Sequence, residues 1–329
     1  MNAGRRRVRA WASAGQFLFG AFLAAAVAAA HAQQNVTRLV IGFPAGASFD
    51  ALGRLLADRM RAPLGQAVIV ENRPGVAGTL AAEGVARAAP DGRTFLLTPL
   101  ASMVTEPQVN RRNVRYDPFR DFAPVSLIAT FEMSLVAGPA APAKSLPEYV
   151  RLVKTDREKG FFGSPGPNTL PHFFGLAFGR AAGVEMTHVP FAGPAPAIQA
   201  VLGGQVPAIV AAYSDFIKLH QSGKMRILAT TGTARPPPTP EVPTFRELGF
   251  DIEATSWYAV FLPAGATPDV VGRLNRALHE AVASKEVAEY LVSTGQTPAP
   301  STPAALAERL ERDYARWGEV IRASGIKLE

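Results

Sequence analysis

Few residues in this chain could carry out chemistry. It has five histidines, His31, His172, His188, His220 and His279, and no cysteine. The missing thiols exclude disulfide frameworks, thiolate metal sites, iron–sulfur clusters, cysteine nucleophiles and a lipidated cysteine anchor. No pair of histidines has metal-ligand spacing with an acid nearby, so neither a metal nor a cofactor is expected. Phe162-Gly163-Ser164-Pro165-Gly166 is similar to a nucleophile elbow, but Phe162 stands where that turn needs its first glycine. A Gly-x-x-x-x-Gly-Lys phosphate loop is absent, as is a dinucleotide Gly-x-Gly-x-x-Gly after the first strand. The chain therefore reads as a binding protein rather than an enzyme, and turnover of a bound compound would overturn that.

What remains is a set of loops, each running from a predicted strand into a predicted helix. The first comprises Phe43, Pro44, Ala45, Gly46, Ala47, Ser48, Phe49 and Asp50. Its small residues let a ligand approach the backbone. Free N–H groups and the positive end of the helix dipole suit a carboxylate. Asp50 reads as an N-cap that holds the turn rather than a group that touches an anion. The second loop, 163–169, contains Ser164 and Gly166 and ends on Thr169 as the predicted cap. His172 follows on an otherwise apolar helix, either as a structural hydrogen-bonding residue or as a ligand contact. Thr98, Ala101 and Ser102 mark a third loop, and Gly193 a fourth.

The elements that must position these loops follow from periodicity. Short β-branched runs at 36–42, 67–71 and 94–98 read as strands, and 50–62 and 79–89 as helices between them. This βαβαβ start implies a parallel sheet with helices on both faces. A second set begins after Pro139. Ser145-Leu146-Pro147-Glu148 is a capping box that opens a helix to about Asp156. Strands follow at 160–163, 184–189, 205–211 and 225–231. Helices follow at 170–182, 195–202 and 215–222. Thr267-Pro268 and Thr302-Pro303 open helices near the C-terminus, with a short one at 286–293. Two long extended segments, 123–137 and 253–262, stand between the sets. If both cross, one lobe comprises residues 33–133 plus 255–329 and the other 134–254, with a ligand cleft between them.

Composition sets the compartment. The chain has 329 residues, 34 Lys plus Arg against 27 Asp plus Glu, a formal charge of +7 and a pI near 9.9. Arg5, Arg6, Arg7 and Arg9 precede an apolar run of 14 residues, 17–30, and Ala30-His31-Ala32 forms a small-x-small cleavage site. Residues 1–32 thus read as a cleaved Sec-type signal peptide, with a twin-arginine route ranked second and an uncleaved anchor as the alternative. The run falls short of the about 20 apolar residues of a membrane span. Removing it leaves 30 basic residues against 27 acidic ones, so the basic pI comes mostly from the leader. The remaining basic residues are dispersed, which argues against nucleic acid as a partner. A periplasmic location is expected.

Several stretches in order resemble the Bug-type extracytoplasmic solute receptors, the TctC-like binding proteins of tripartite tricarboxylate transporters. They are Val40–Asp50, Val68–Gly75, Ala88–Gly92, Tyr116–Phe119, Phe162–His172, His188–Phe191, Leu202–Val206 and Pro263–Gly265. The resemblance implies an α/β fold of the type II periplasmic-binding-protein kind, two doubly wound lobes joined by two crossing strands. It also implies cleft closure on a small carboxylate, delivery to membrane transporter subunits, and a monomer. A receptor that presents its closed form to a sensor kinase is the alternative. The resemblance adds Ala192, Tyr213 and Asp215 to the predicted contacts. Two departures from the family pattern matter. Phe49 stands where a small hydroxyl residue is usual, and Phe191-Ala192-Gly193 replaces Tyr-Lys-Gly. If both rings face the cleft, the ligand is a monocarboxylate or an aromatic carboxylate; if they pack in the core, this inference lapses.

Overall fold

The computed structural model describes residues 36–46, 48–252 and 254–324. The leader assigned to residues 1–32 lies outside the described residues. No described helix is long and apolar enough to cross a membrane.

One ten-stranded sheet changes partners along a single strand. Strands β1 (Val36–Ile41), β2 (Ala67–Asn72) and β3 (Thr94–Pro99) run parallel with β1 in the middle. Helices α1 (Ser48–Leu64) and α2 (Thr79–Ala86) connect them, and short helices α3 (Leu100–Met103) and α4 (Glu106–Val109) follow. The second set holds parallel strands β5 (Phe161–Ser164), β6 (Thr187–Pro190) and β7 (Ala208–Ala212), with β8 (Arg226–Thr230) beyond. Its helices are α5 (Leu146–Thr155), α6 (Leu170–Ala182), α7 (Pro194–Leu202) and α8 (Ile217–Gln221). Strand β9 (Thr255–Pro263), helices α9 (Pro268–Ala283) and α10 (Lys285–Ser293), strand β10 (Gln296–Pro298) and helix α11 (Pro303–Ser324) complete the chain.

Strand β4 (Phe122–Ala137) belongs to both sets. Up to Glu132 it pairs antiparallel with β9; from Met133 it pairs antiparallel with β7 and β8. Each half is therefore mixed rather than purely parallel, because β4 runs antiparallel to β9 in the first and to β7 and β8 in the second. Side chains of β9 alternate between faces. Trp257 faces α11, where its indole Nε1–H donates to Asp313 at 2.7 Å. Arg309 joins the same carboxylate at 2.7 Å and reaches Thr255 Oγ1 at 2.8 Å. Helix α11 packs on β4 and α4 and also on α6 of the second lobe, so it straps the back of the crossing.

Local signals explain the helix starts. Ser145 Oγ accepts from the Glu148 N–H, and the Glu148 carboxylate accepts from the Lys144 N–H at 2.6 Å. Thr267 and Thr302 hydroxyls accept from Val270 and Ala305 N–H groups at the starts of α9 and α11.

The two crossings meet on Thr231, which is fully buried. Its N–H donates to the Met133 carbonyl, and its Oγ1 accepts from the Met133 N–H, both at 2.9 Å. The same hydroxyl donates to the Ala254 carbonyl, and the Ala254 N–H returns to the Thr231 carbonyl at 3.1 Å. Next to it Gly232 lies under the Glu132 carboxyl, where a Cβ would stand 2.0 Å from Oε1. Thr231→Val keeps the shape but leaves a buried N–H and a buried carbonyl without this partner. Urea unfolding should show a loss of about 2–4 kcal/mol. A loss below about 0.5 kcal/mol, the usual range for inconsequential substitutions, would show that the hydroxyl is not a clasp.

Candidate functional site

The loop after β1 is built around Asp50. Helix α1 starts at Ser48, so Asp50 sits inside the first turn rather than at the cap. Its carboxylate accepts from the Gly46 N–H and Arg54 Nε, both at 2.9 Å, and from Asn72 Nδ2 at 2.9 Å. Asn72 Nδ2 also donates to the Phe43 carbonyl at 3.0 Å. Burial works to raise the Asp50 carboxyl, but these donors outweigh it and hold the group below its usual range. Asp50 is thus committed to shaping the loop, while Pro44, Ala45, Gly46 and Ser48 are exposed. Ala47 lies outside the described residues.

A second segment, 75–79, joins this loop, and the sequence pattern gave no site residue there. A Cβ on Gly42 would stand 2.4 Å from Gly78 Cα, and Gly78 adopts φ +90°. Close backbone approach therefore requires glycine at both positions. The Ser102 hydroxyl donates to the Ala77 carbonyl at 2.7 Å, and the Tyr116 hydroxyl donates to the Ser102 carbonyl. Ser102 and Thr98 are buried, and Ala101 is half-buried beside them. The paired glycines Gly75 and Gly78, each at positive φ, were the available sign.

In the second lobe the loop after β5 is closed by its own hydroxyls. Ser164 Oγ and Thr169 Oγ1 both donate to the Gly166 carbonyl at 2.8 Å. Thr169 makes no capping hydrogen bond to α6, contrary to the expectation, because its hydroxyl is spent on that carbonyl. Ser164 Oγ is also 2.7 Å from His188 Nε2. With the serine proton directed at Gly166, His188 is the donor. No carboxylate orients this ring among the described residues, and Ser164 is fully buried. The pair is therefore not arranged as a nucleophile and base.

His172 Nδ1 accepts from the Asn168 N–H at 3.2 Å. Its ring stacks on His188 with centroids 3.8 Å apart. Burial pushes His172 down to about 4 and His188 to about 3, the latter also through the facing His172. Gly193, at φ +111°, donates its N–H to the Pro165 carbonyl at 2.9 Å, and Ala192 is exposed.

Two predicted contacts sit deeper than expected. Tyr213 is buried, and its hydroxyl pairs with Thr239 Oγ1 at 2.9 Å. Phe49 is also buried, because its ring packs against Phe43 and Tyr258. Phe191 is half-buried, with its ring over Gly163, 3.2 Å from where a Cβ would stand. Rings that the sequence did not single out, Tyr258 and Phe131, are half-buried and 4.8 Å apart. Asp215 is half-buried; burial pushes the Tyr258 phenol up, and the nearby Asp215 charge adds to this. Desolvation pushes the Asp215 carboxyl up to about 6.

A separate hollow of about 420 Å³ lies near the amino ends of β1 and β3, lined by Arg38, Arg73, Arg93 and Asp91. Its guanidiniums pair with Glu71 and Asp91, and it lies away from the carboxyl-end loops where α/β sheets bind ligands.

Comparison with known proteins agrees with this architecture. The family model for the tripartite tricarboxylate transporter family receptor matches residues 52–326. Protein BugT of Bordetella pertussis is 30% identical over 316 residues, covering 96% of this chain and 97% of that one. The solved structure of periplasmic binding protein BugD is 29% identical with a TM-score of 0.79, covering 89% of this chain and 98% of that one. Rpa4515 of R. palustris, solved with adipate, is 30% identical with a TM-score of 0.80, covering 88% and 97%.

The stacked histidines make stability depend on pH. Unfolded, each ring takes up a proton near 6.5; folded, they refuse it until about 4 and about 3. Their contribution is complete above pH 6.5 and is lost as pH falls through that window. Each ring should remove roughly 3 kcal/mol by pH 4. Denaturant midpoints of wild type should therefore fall more steeply between pH 7 and pH 4.5 than those of His172→Gln/His188→Gln. Parallel profiles would show that the rings are protonated in the fold.

Proposed function

The chain belongs to the tripartite tricarboxylate transporter receptor family as a Bug-type, TctC-like solute-binding protein, and from that premise we propose how it works. It captures a small carboxylate between its lobes, closes about the Thr231 crossing and delivers the solute to a tripartite tricarboxylate-type membrane transporter. The family's receptors are periplasmic, and we place this chain there as well, exported by its leader.

The observation that carries this reading is the construction of the loops. Neither 43–50 nor 163–169 contains Lys or Arg. Asp50, Ser164 and Thr169 are turned onto Gly46 and Gly166 of these loops, and Ser102 is turned onto Ala77. Backbone N–H groups at the starts of α1, α2 and α6 are left for an anion, whereas α7, which opens Pro194-Ala195-Pro196, offers only the Ala195 N–H. Donors fixed in advance lose little order on binding, and a closed cleft strengthens each hydrogen bond. We assign Phe43–Gly46, Ser48, Gly78, Gly166, Thr169, Ala192 and Gly193 to the carboxylate end, with Asp50, Ser164 and His172 supporting from behind. Closure follows from the ligand's greater affinity for the closed form.

We assign a monocarboxylate, aromatic ones included, rather than a dicarboxylic amino acid. Support comes from the Phe43, Tyr258 and Phe131 rings rather than from Phe191, whose ring covers Gly163. Calorimetry and thermal shift with benzoate, phenylacetate, citrate and aspartate test this. The monocarboxylates should raise the melting temperature and bind more tightly than the other two. Tight citrate or aspartate binding with silent aromatic acids would sink the assignment. Thr169→Val should weaken binding severalfold and lower stability by about 1 kcal/mol, because the hydroxyl orders the loop.

A further inference from the structure

The chain of rings and the carboxyl beside it point to more than an apolar wall. Phe43 meets Phe49 with centroids 5.5 Å apart, Phe49 meets Tyr258 at 4.4 Å, and Tyr258 meets Phe131 at 4.8 Å. The row runs from the β1 loop to the crossing strands, past Pro99, which pairs with Tyr258 at the carboxyl end of β3. Opposite stands the 213–216 turn of the second lobe, held against the first where Ser214 Cα lies 3.0 Å from the Cβ position of Gly295. Asp215 projects from this turn. Among the described residues its carboxyl has no hydrogen-bond or ion-pair partner, yet it remains open to solvent. The Tyr258 hydroxyl likewise has no hydrogen bond, whereas the neighbouring Tyr290 hydroxyl is spent on the Ser48 carbonyl at 2.7 Å.

We propose that Asp215 and the Tyr258–Phe131 pair, backed by the buried Phe49 ring, form an ammonium-recognising end of the cleft, so that the solute is a monocarboxylate carrying a cationic nitrogen at its other end. This rests on the receptor reading above. Aromatic faces attract a cation through their ring quadrupoles, and a desolvated carboxylate supplies the counter-charge that makes burying it tolerable. Desolvation of Asp215 is uncompensated, with its carboxyl pushed up to about 6 and no cation of the protein drawing it back. Asp50 shows the contrast, since three donors hold it low. An apolar solute would leave Asp215 unpaired in the closed cleft, and an anionic end would be repelled.

Two matched pairs test this by calorimetry at pH 7.5. They are 4-(trimethylammonio)butanoate against 5,5-dimethylhexanoate, and 4-(aminomethyl)benzoate against 4-ethylbenzoate. In at least one pair the nitrogen compound should bind at least tenfold more tightly than its carbon isostere. Asp215→Asn should cut that preference at least tenfold, by weakening the nitrogen compound and strengthening the isostere, and should not lower the melting temperature. Isosteres that bind as well as the nitrogen compounds, or a preference that survives Asp215→Asn, would overturn the inference and leave the carboxylate receptor standing. Binding of none of the four, nor of benzoate, phenylacetate, citrate or aspartate, would overturn both. Should Asp215→Asn melt early, Asp215→Glu must restore the preference along with the fold.

Discussion

The two crossings between the strand sets are tied together by one threonine hydroxyl. Thr231 accepts from Met133 on the outgoing crossing and donates to Ala254 on the returning one, in a position closed to water. A buried backbone group must be paired. Where β4 leaves one set of partners for the other, the ladder cannot supply those pairs, and a side chain takes over. The backbone groups that join the two crossings are then satisfied. Behind them Trp257, Asp313 and Arg309 fix α11 across the crossing.

The same economy governs the loops. Four polar side chains in them are bonded to the backbone of their own loop or of a neighbouring one: Asp50 to Gly46, Ser102 to Ala77, Ser164 and Thr169 to Gly166. These contacts would be wasted if the side chains were themselves the recognition groups. They make sense if recognition is done by main-chain N–H groups, whose directions must be fixed because they cannot rotate onto a ligand as a side chain can. A receptor built this way discriminates by shape and by the far end of the solute, since every carboxylate presents the same oxygens to the same amides.

How much of this the sequence held depends on the range of the interaction. Helix α6 reads directly from its apolar spacing at 170–182, and the capping box at Ser145 predicts α5, because both are decided within a few residues. The crossings at 123–137 and 253–262 show as extended runs. Their antiparallel pairing does not, since a strand carries no mark of the direction of its neighbour. The three-residue β10 and the four-residue helices α3 and α4 are too short for any periodicity. At the site, Asp50's shaping role followed from its place after a strand. Thr169 misled, because the motif that predicts a cap cannot show that the Gly166 carbonyl is nearer. The depth of Tyr213 was not legible for a similar reason. Its partner Thr239 lies in the run Pro236-Pro237-Pro238-Thr239-Pro240, and only the folded chain brings them together.

Asp50 and Asp215 show why a residue type at a loop is not yet a role. Both follow a strand of the sheet, and both sit where α/β folds gather ligands. Asp50 is fully buried and has a guanidinium, an amide and a backbone N–H on its two oxygens. Its charge is neutralised within the protein and invisible to a solute. Asp215 is more open by surface yet more desolvated in effect, because no donor offsets its burial. A carboxylate kept without donors beside aromatic faces destabilises the empty protein slightly at neutral pH. Glu106 and Glu132 also keep a buried carboxyl oxygen without a partner. Asp215 stands apart from them by its place on the turn that meets the opposite lobe, where the nitrogen proposed for the solute would neutralise it.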